Sequence, residues 1–252
     1  MDDSIHTAHT WVVVEERFNS LADRPREDTV TMPSRRDFMK WTVAAGTPLA
    51  FGASPQPALA QELSFFETVR SRRSVRRYQP TPVPDEHLSE ILDAARLAPT
   101  AGNQQPWKFL VVRDGELIDR LKEACIEKGL EARRARGLTV TDEMAESVRE
   151  SFQGYFSAPV YVVVLTDNES QYPTYNHWDG PLAAGYLMLA ARALGYGTVF
   201  ITDSIPADVT KEILDIPDRY TRVCITPIGV PETWPDSPEK KELDEFVVYD
   251  RF

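Results

Sequence analysis

Six consecutive residues, Val160-Tyr-Val-Val-Val-Leu165, follow Pro159 without one charged or strongly polar position among them. An unbroken short run of β-branched and aromatic side chains reads as a buried strand, and a buried strand needs a sheet and a cover. Further strands are expected at 107–112 (Trp-Lys-Phe-Leu-Val-Val) and 221–230. Gly195-Tyr-Gly-Thr-Val-Phe-Ile-Thr202 reads as a glycine-opened strand. Helices are expected between them. Residues 63–74 predict a short helix with a basic C-terminal end, where cations complement the helix dipole. From Asp85 an amphipathic helix carries Leu88, Ile91, Leu92 and Ala95 on one face and stops at Pro99. Residues 115–130 predict a helix with Leu117, Leu121, Ala124 and Cys125 inward, and 131–152 a charged helical stretch too polar for the core. Residues 181–194 form a helix apolar on most sides, hence central, and 206–214 a short one. The even spacing of a doubly wound sheet is missing. The fold class is therefore α+β (mixed α/β), with helices packed on a small central sheet.

The first sixty residues read differently. Ser34-Arg-Arg-Asp-Phe-Met-Lys40 precedes a stretch, Trp41 to Gln61, with no charged side chain, broken by Gly46, Pro48 and Gly52 and closed by Ala58-Leu-Ala60. A basic run, an apolar run and a small-x-small site make a targeting signature, too short and too broken for a membrane-spanning helix. Paired Arg35-Arg36 with Phe38 two positions on looks like a twin-arginine export signal, which delivers folded proteins. Met32 is its expected start. The chain thus divides into 1–60, an N-terminal extension with signal peptide, and 61–252, one domain exported to the periplasm or another extracytoplasmic space.

Charge and chemistry narrow the function. A net charge of -11 leaves no broad basic surface for nucleic acid. The two cysteines, Cys125 and Cys224, lie in apolar runs with no CxxC spacing, so they read as small buried residues rather than metal ligands or a disulfide scaffold. Beyond the leader only His87 and His177 remain, and no glycine-rich dinucleotide loop, phosphate-binding loop, zinc-protease motif or nucleophile elbow is present. Two constellations stand out. Arg72-Arg-Ser-Val-Arg-Arg77 packs four arginines and a hydroxyl into six residues of an acidic chain, a fit for one compact dianion. Pro99-Thr-Ala-Gly-Asn-Gln-Gln-Pro-Trp107 combines small residues that admit a flat ligand, amides that can bond ring edges, and a Trp to pack beside them. Phosphate clamp plus polar lip points to a nucleotide-like cofactor.

On these residues, with the Leu194-Gly-Tyr-Gly-Thr198 run, the chain resembles the FMN-dependent nitroreductase family over most of 62–252. The resemblance implies FMN as cofactor. It puts Arg72, Arg73, Ser74 and Arg76 on the phosphate and ribityl chain, and Pro99, Thr100, Ala101 and Asn103 at the flavin across a homodimer interface. Thr202 and Asp203 fall where family members often place Gly or Glu beside the reactive flavin edge. Lys240 matches one of a pair of basic phosphate contacts, Pro238 occupies the other position, and Lys241 stands close enough to compensate. The flavin would transfer the electrons, so no catalytic side chain is assigned. Substrate contacts are expected from Tyr155, Phe156 and the run Tyr172, Tyr175, His177, Trp178. The apolar Phe246-Val-Val-Tyr249 is expected to bury against a second copy. The expected function is reduction of a small-molecule electron acceptor, nitroaromatic, quinone-like or otherwise conjugated, by an exported enzyme fed from a quinol or an exported redox protein. Reductive dehalogenation, flavin-consuming chemistry and non-catalytic flavin binding are the alternatives.

Overall fold

The computed structural model describes residues 63–252; the expected export signal lies outside them. Among the described residues, strands β1 (Trp107–Val112), β2 (Val160–Asp167), β3 (Gly197–Thr198) and β4 (Tyr220–Gly229) form one antiparallel sheet in the order β1-β2-β4-β3. Helices α1 (Phe65–Ser71), α2 (Asp85–Arg96), α3 (Gly115–Ala135), α4 (Asp142–Tyr155), α5 (Asn176–Ala193) and α6 (Ala207–Ile213) surround it. The α+β expectation holds.

Strand β2 is the axis, and its alternation explains why. Tyr161, Val163 and Leu165 join Leu121 and Cys125 of α3 and Val209 of α6 in one cluster. Val160, Val162 and Val164 join Leu88 and Ile91 of α2 and Ala184 and Leu187 of α5 in another. A strand whose two faces meet different helices has no polar position to spare. Each such side chain contributes about 1.5–3 kcal/mol of burial.

Three expectations are corrected. Helix α5 begins at Asn176, five residues before Pro181, because buried polar groups hold the added turn: Asn176 Nδ2 donates to the Asp167 carbonyl at 2.8 Å, and Asp179 is bonded as described below. The expected strand at 195–202 shrinks to Gly197–Thr198 with an isolated Ile201–Ile225 bridge. Its outer edge is taken instead by the segment after α1, whose Val75 N–H donates to the Thr198 carbonyl at 3.0 Å. The stretch 131–152 is not a single solvated helix. Helix α3 runs on to Ala135, Gly137 turns the chain at φ 77°, and Thr141 caps α4 by accepting from Met144 N–H at 3.2 Å. Ile126, Leu130 and Val148 then bury one another in a small satellite core.

Candidate active site

The arginine run is displayed by the apolar residues inside it. After α1 the chain runs extended: Ser74 pairs in parallel with Thr198, Tyr78 pairs with Pro231, and Gln79 N–H donates to the Val230 carbonyl at 2.8 Å. Val75 is 1% and Tyr78 2% exposed, and the Tyr78 hydroxyl donates to the Val75 carbonyl. With Val75 pinned inward, its neighbours Ser74 and Arg76 face the other way. Gly154 of α4 makes room, since a Cβ there would sit 2.8 Å from the Arg76 carbonyl oxygen.

These side chains line a cleft of about 660 Å³. One segment contributes Arg70, Arg72, Arg73, Ser74 and Arg76; the C-terminal arm contributes 235–238 and Lys240. The lining holds five cations and one carboxylate, Asp236. Among the described residues, none of the five is in an ion pair. Neutral groups orient two of them. Arg73 donates to the Arg70 and Arg72 carbonyls at 2.7 and 2.8 Å, and Arg76 Nε donates to the Tyr155 hydroxyl at 3.2 Å. The cleft therefore keeps a net positive field suited to a compact anion.

The second constellation is a strained loop held from beneath. Gly102, Asn103 and Gln105 have φ of 54°, 55° and 49°, the left-handed region that non-glycine residues rarely enter. Asp179 of α5 stabilises it by accepting from Ala101 N–H at 3.1 Å and Gln104 Nε2 at 2.8 Å. The Thr100 hydroxyl accepts from Gln105 N–H at 3.2 Å, and Gln104 exchanges two bonds with the backbone of Tyr172. Asn103 is exposed at the tip. Backbone strain of this kind persists where the surroundings over-determine it, as at ligand sites.

A third element is the exposed turn at Thr202 and Asp203. Arg222 of β4 fixes it, donating to the Thr202 carbonyl at 2.7 Å and, through its other terminal nitrogen, to the Ile205 carbonyl at 2.6 Å. Pro99, Thr100, Ala101, Asn103, Thr202 and Asp203 are not among the residues lining the arginine cleft, whereas Arg72, Arg73, Ser74, Arg76, Lys240 and the departing Pro238 all are. Of the expected substrate contacts, Phe156 is corrected: it is buried against Tyr161 in the core, because the chain turns inward at the end of α4. Tyr155 is committed to Arg76. Tyr172, Tyr175 and Trp178 remain exposed, with Tyr172 and Tyr175 in a T-shaped pair, Tyr175 tilted against Trp178, and His177 against Trp178.

Residues 69–230 match the model of the nitroreductase family. The chain belongs to the nitroreductase family. A protein of Archaeoglobus fulgidus provisionally named an NADH dehydrogenase/NAD(P)H nitroreductase is 32% identical over 194 residues, 74% of this chain and 92% of that one. An iodotyrosine deiodinase of Thermotoga neapolitana is 31% identical over 70% of this chain and 91% of its own length. Among solved structures, an oxidized iodotyrosine deiodinase bound to FMN and 3-iodo-L-tyrosine superposes with TM-score 0.62 at 25% identity, covering 75% of this chain and all of that one. An FMN-dependent nitroreductase of Clostridium difficile R20291 gives 0.57 at 28% identity, over 73% and 98%.

Sequence reasoning missed Asp179 and Arg222, which hold the loop and the turn, and Arg192, whose guanidinium lies over the Trp234 ring of the C-terminal arm. Asp179 and Arg192 had a signal, being the only charged side chains in an otherwise apolar helix. Arg222 had a weaker one, a guanidinium one position from the apolar part of β4.

Proposed function

We propose that this chain is an exported FMN-dependent oxidoreductase that reduces nitroaromatic, quinone-like or other conjugated small molecules. The observation that carries the reading is the cleft with five cations, none ion-paired among the described residues, around Ser74. Guanidinium groups grip phosphate oxygens through paired N–H donors and stay charged at any accessible pH. Arg72, Arg73, Ser74, Arg76 and Lys240 would hold the FMN phosphate. When bound, FMN supplies the electron-transfer chemistry. The chain's own residues supply position. Asp179 holds the loop that would present Thr100, Ala101 and Asn103 to the ring, and Arg222 holds the turn at Thr202 and Asp203.

The loop and turn lie outside the arginine cleft of one chain, so the reading includes a homodimer in which one copy's loop completes the other copy's clamp. Phe65 and Phe66, 67% and 66% exposed, and the arm residues Phe246 and Tyr249 offer the apolar surface. The run Ser34-Arg-Arg-Asp-Phe38 supports export by the twin-arginine route, which would carry FMN out already bound. Outside the cytoplasm, a quinol or an exported redox protein replaces NAD(P)H as donor. Reductive dehalogenation is the second reading, favoured by the deiodinase relative.

Purified protein is expected to show a flavin absorption spectrum, and heat release to yield one FMN per chain by mass. A colourless protein that takes up no added FMN would sink the reading. Anaerobic mixing with NADPH tests the donor: flavin reduction as fast as turnover removes the quinol proposal. Release of iodide from 3-iodo-L-tyrosine, with slow nitroaromatic turnover, selects the second reading.

A further inference from the structure

The arm that lines the arginine cleft is held in two ways. As far as Glu232 it follows neighbouring backbone: Gln79 Nε2 donates to the Pro231 carbonyl at 3.0 Å and Glu232 N–H to the Arg77 carbonyl at 3.2 Å. The next hold is a side chain. Arg192 of α5 lies over the Trp234 ring, its Cζ 4.0 Å from the ring centroid. Arg192 Nε donates to the Ser71 hydroxyl at 3.0 Å, and that hydroxyl donates to the Glu67 carbonyl at 2.6 Å. One guanidinium thus joins α1, α5 and the arm. Residues 235–238 and Lys240 follow directly and line the cleft. Among the described residues, no hydrogen bond or ion pair ties 234–240 to another segment.

We propose that Arg192 and Trp234 form a latch, a pair of positioning residues that hold the arm as the second wall of the phosphate site and that tighten when an anion fills it. The inference rests on the FMN reading above. Its electrostatics follow from the neighbourhood. Burial, and after it the charge of Arg73, make protonated Arg192 less favourable than an ordinary guanidinium, so Arg192 lies within the field of the cleft. A dianion between Arg73 and Lys240 offsets the Arg73 charge and draws Lys240, six residues past Trp234 on the same arm, against the arginine wall of the cleft. Occupancy and closure are then one equilibrium, and phosphate binding is tighter than an open groove of arginines would give.

The test uses the full chain and two flavins that share a ring: FMN, and riboflavin, which lacks the phosphate. Their affinity ratio isolates the phosphate site. Trp234→Leu is expected to lower that ratio about tenfold while riboflavin binding stays unchanged, and Trp234→Phe, which keeps an aromatic face, to stay within about twofold of the parent. Amide hydrogen exchange at 235–240 is expected to slow on FMN addition in the parent, and to be fast with or without FMN in Trp234→Leu and Arg192→Met. An unchanged ratio in Trp234→Leu, or a Trp234→Phe that loses as much, overturns the latch. So does equal protection of 235–240 in all variants. A parent that binds neither flavin overturns the cofactor reading, and exchange at 235–240 without ligand then still decides whether the stack holds the arm.

Discussion

Asp179 is a carboxylate only 4% exposed, and among the described residues no cation pairs with it. Two N–H donors from the loop at 101–104 take the place of water. Losing the carboxylate would strand both donors and relax a loop whose φ angles are already unfavourable. Asp179→Ala is therefore expected to destabilise the domain by about 1–3 kcal/mol and to weaken FMN binding, read by thermal unfolding and flavin fluorescence. The cysteines make a complementary case. Burial pushes the Cys125 thiol up to about 12 and the Cys224 thiol up to about 11. Because the folded values are raised, the stability these thiols contribute is complete below the usual thiol range near 8.5 and is eroded as pH climbs from there through about 11–12. Neither thiol is expected to react with a maleimide at pH 8 in the folded protein, and both should react in denaturant. Labelling counted by mass checks this.

At the level of elements, the extended strip after α1 converts a charge run into a site. Its register depends on close backbone approach at Gly197, where a Cβ would lie 2.7 Å from Val75 Cγ2 and 2.9 Å from Pro231 Cγ. Gly197→Ala would push Val75 outward and carry Ser74 and Arg76 with it. A loss of about 1–3 kcal/mol in stability is expected, with FMN affinity falling more than riboflavin affinity. Equal losses for the two flavins would show that the strip does not set the phosphate contacts. Helix α5 teaches the opposite lesson about legibility. Its apolar character was readable from 181–194, but its first turn is held by tertiary bonds from Asp167 and the 101–104 loop, which no local pattern announces.

Among the described residues, the most exposed large apolar side chains include groups at both ends of the described chain. Phe65, Phe66 and Val69 stand out from α1, and Phe246, Val248 and Tyr249 from the arm, Tyr249 at 83% exposure. Exposed aromatic side chains of this kind fit the proposed burial between copies. On the homodimer reading proposed above, truncation after Lys241 is expected to leave a monomer in sedimentation and to lower FMN occupancy, while the far-ultraviolet spectrum stays close to that of the full chain. A truncated chain that remains a dimer would move the interface elsewhere.

The elements built from period and composition were legible in the residues alone. Strand β2 announced itself because a strand covered on both faces is apolar from Val160 to Leu165, and the arginine run because four guanidiniums within six residues repel one another and stand apart in an acidic chain. The glycine-opened strand was misjudged because its β-branched residues say nothing about which neighbour takes the ladder, and here the segment after α1 does. Asp179, Arg192 and Arg222 stood out as isolated charges and Trp234 did not, but the partners of all four were out of reach for the same reason. Each acts by touching a segment far away in sequence, and only folding decides which distant groups meet.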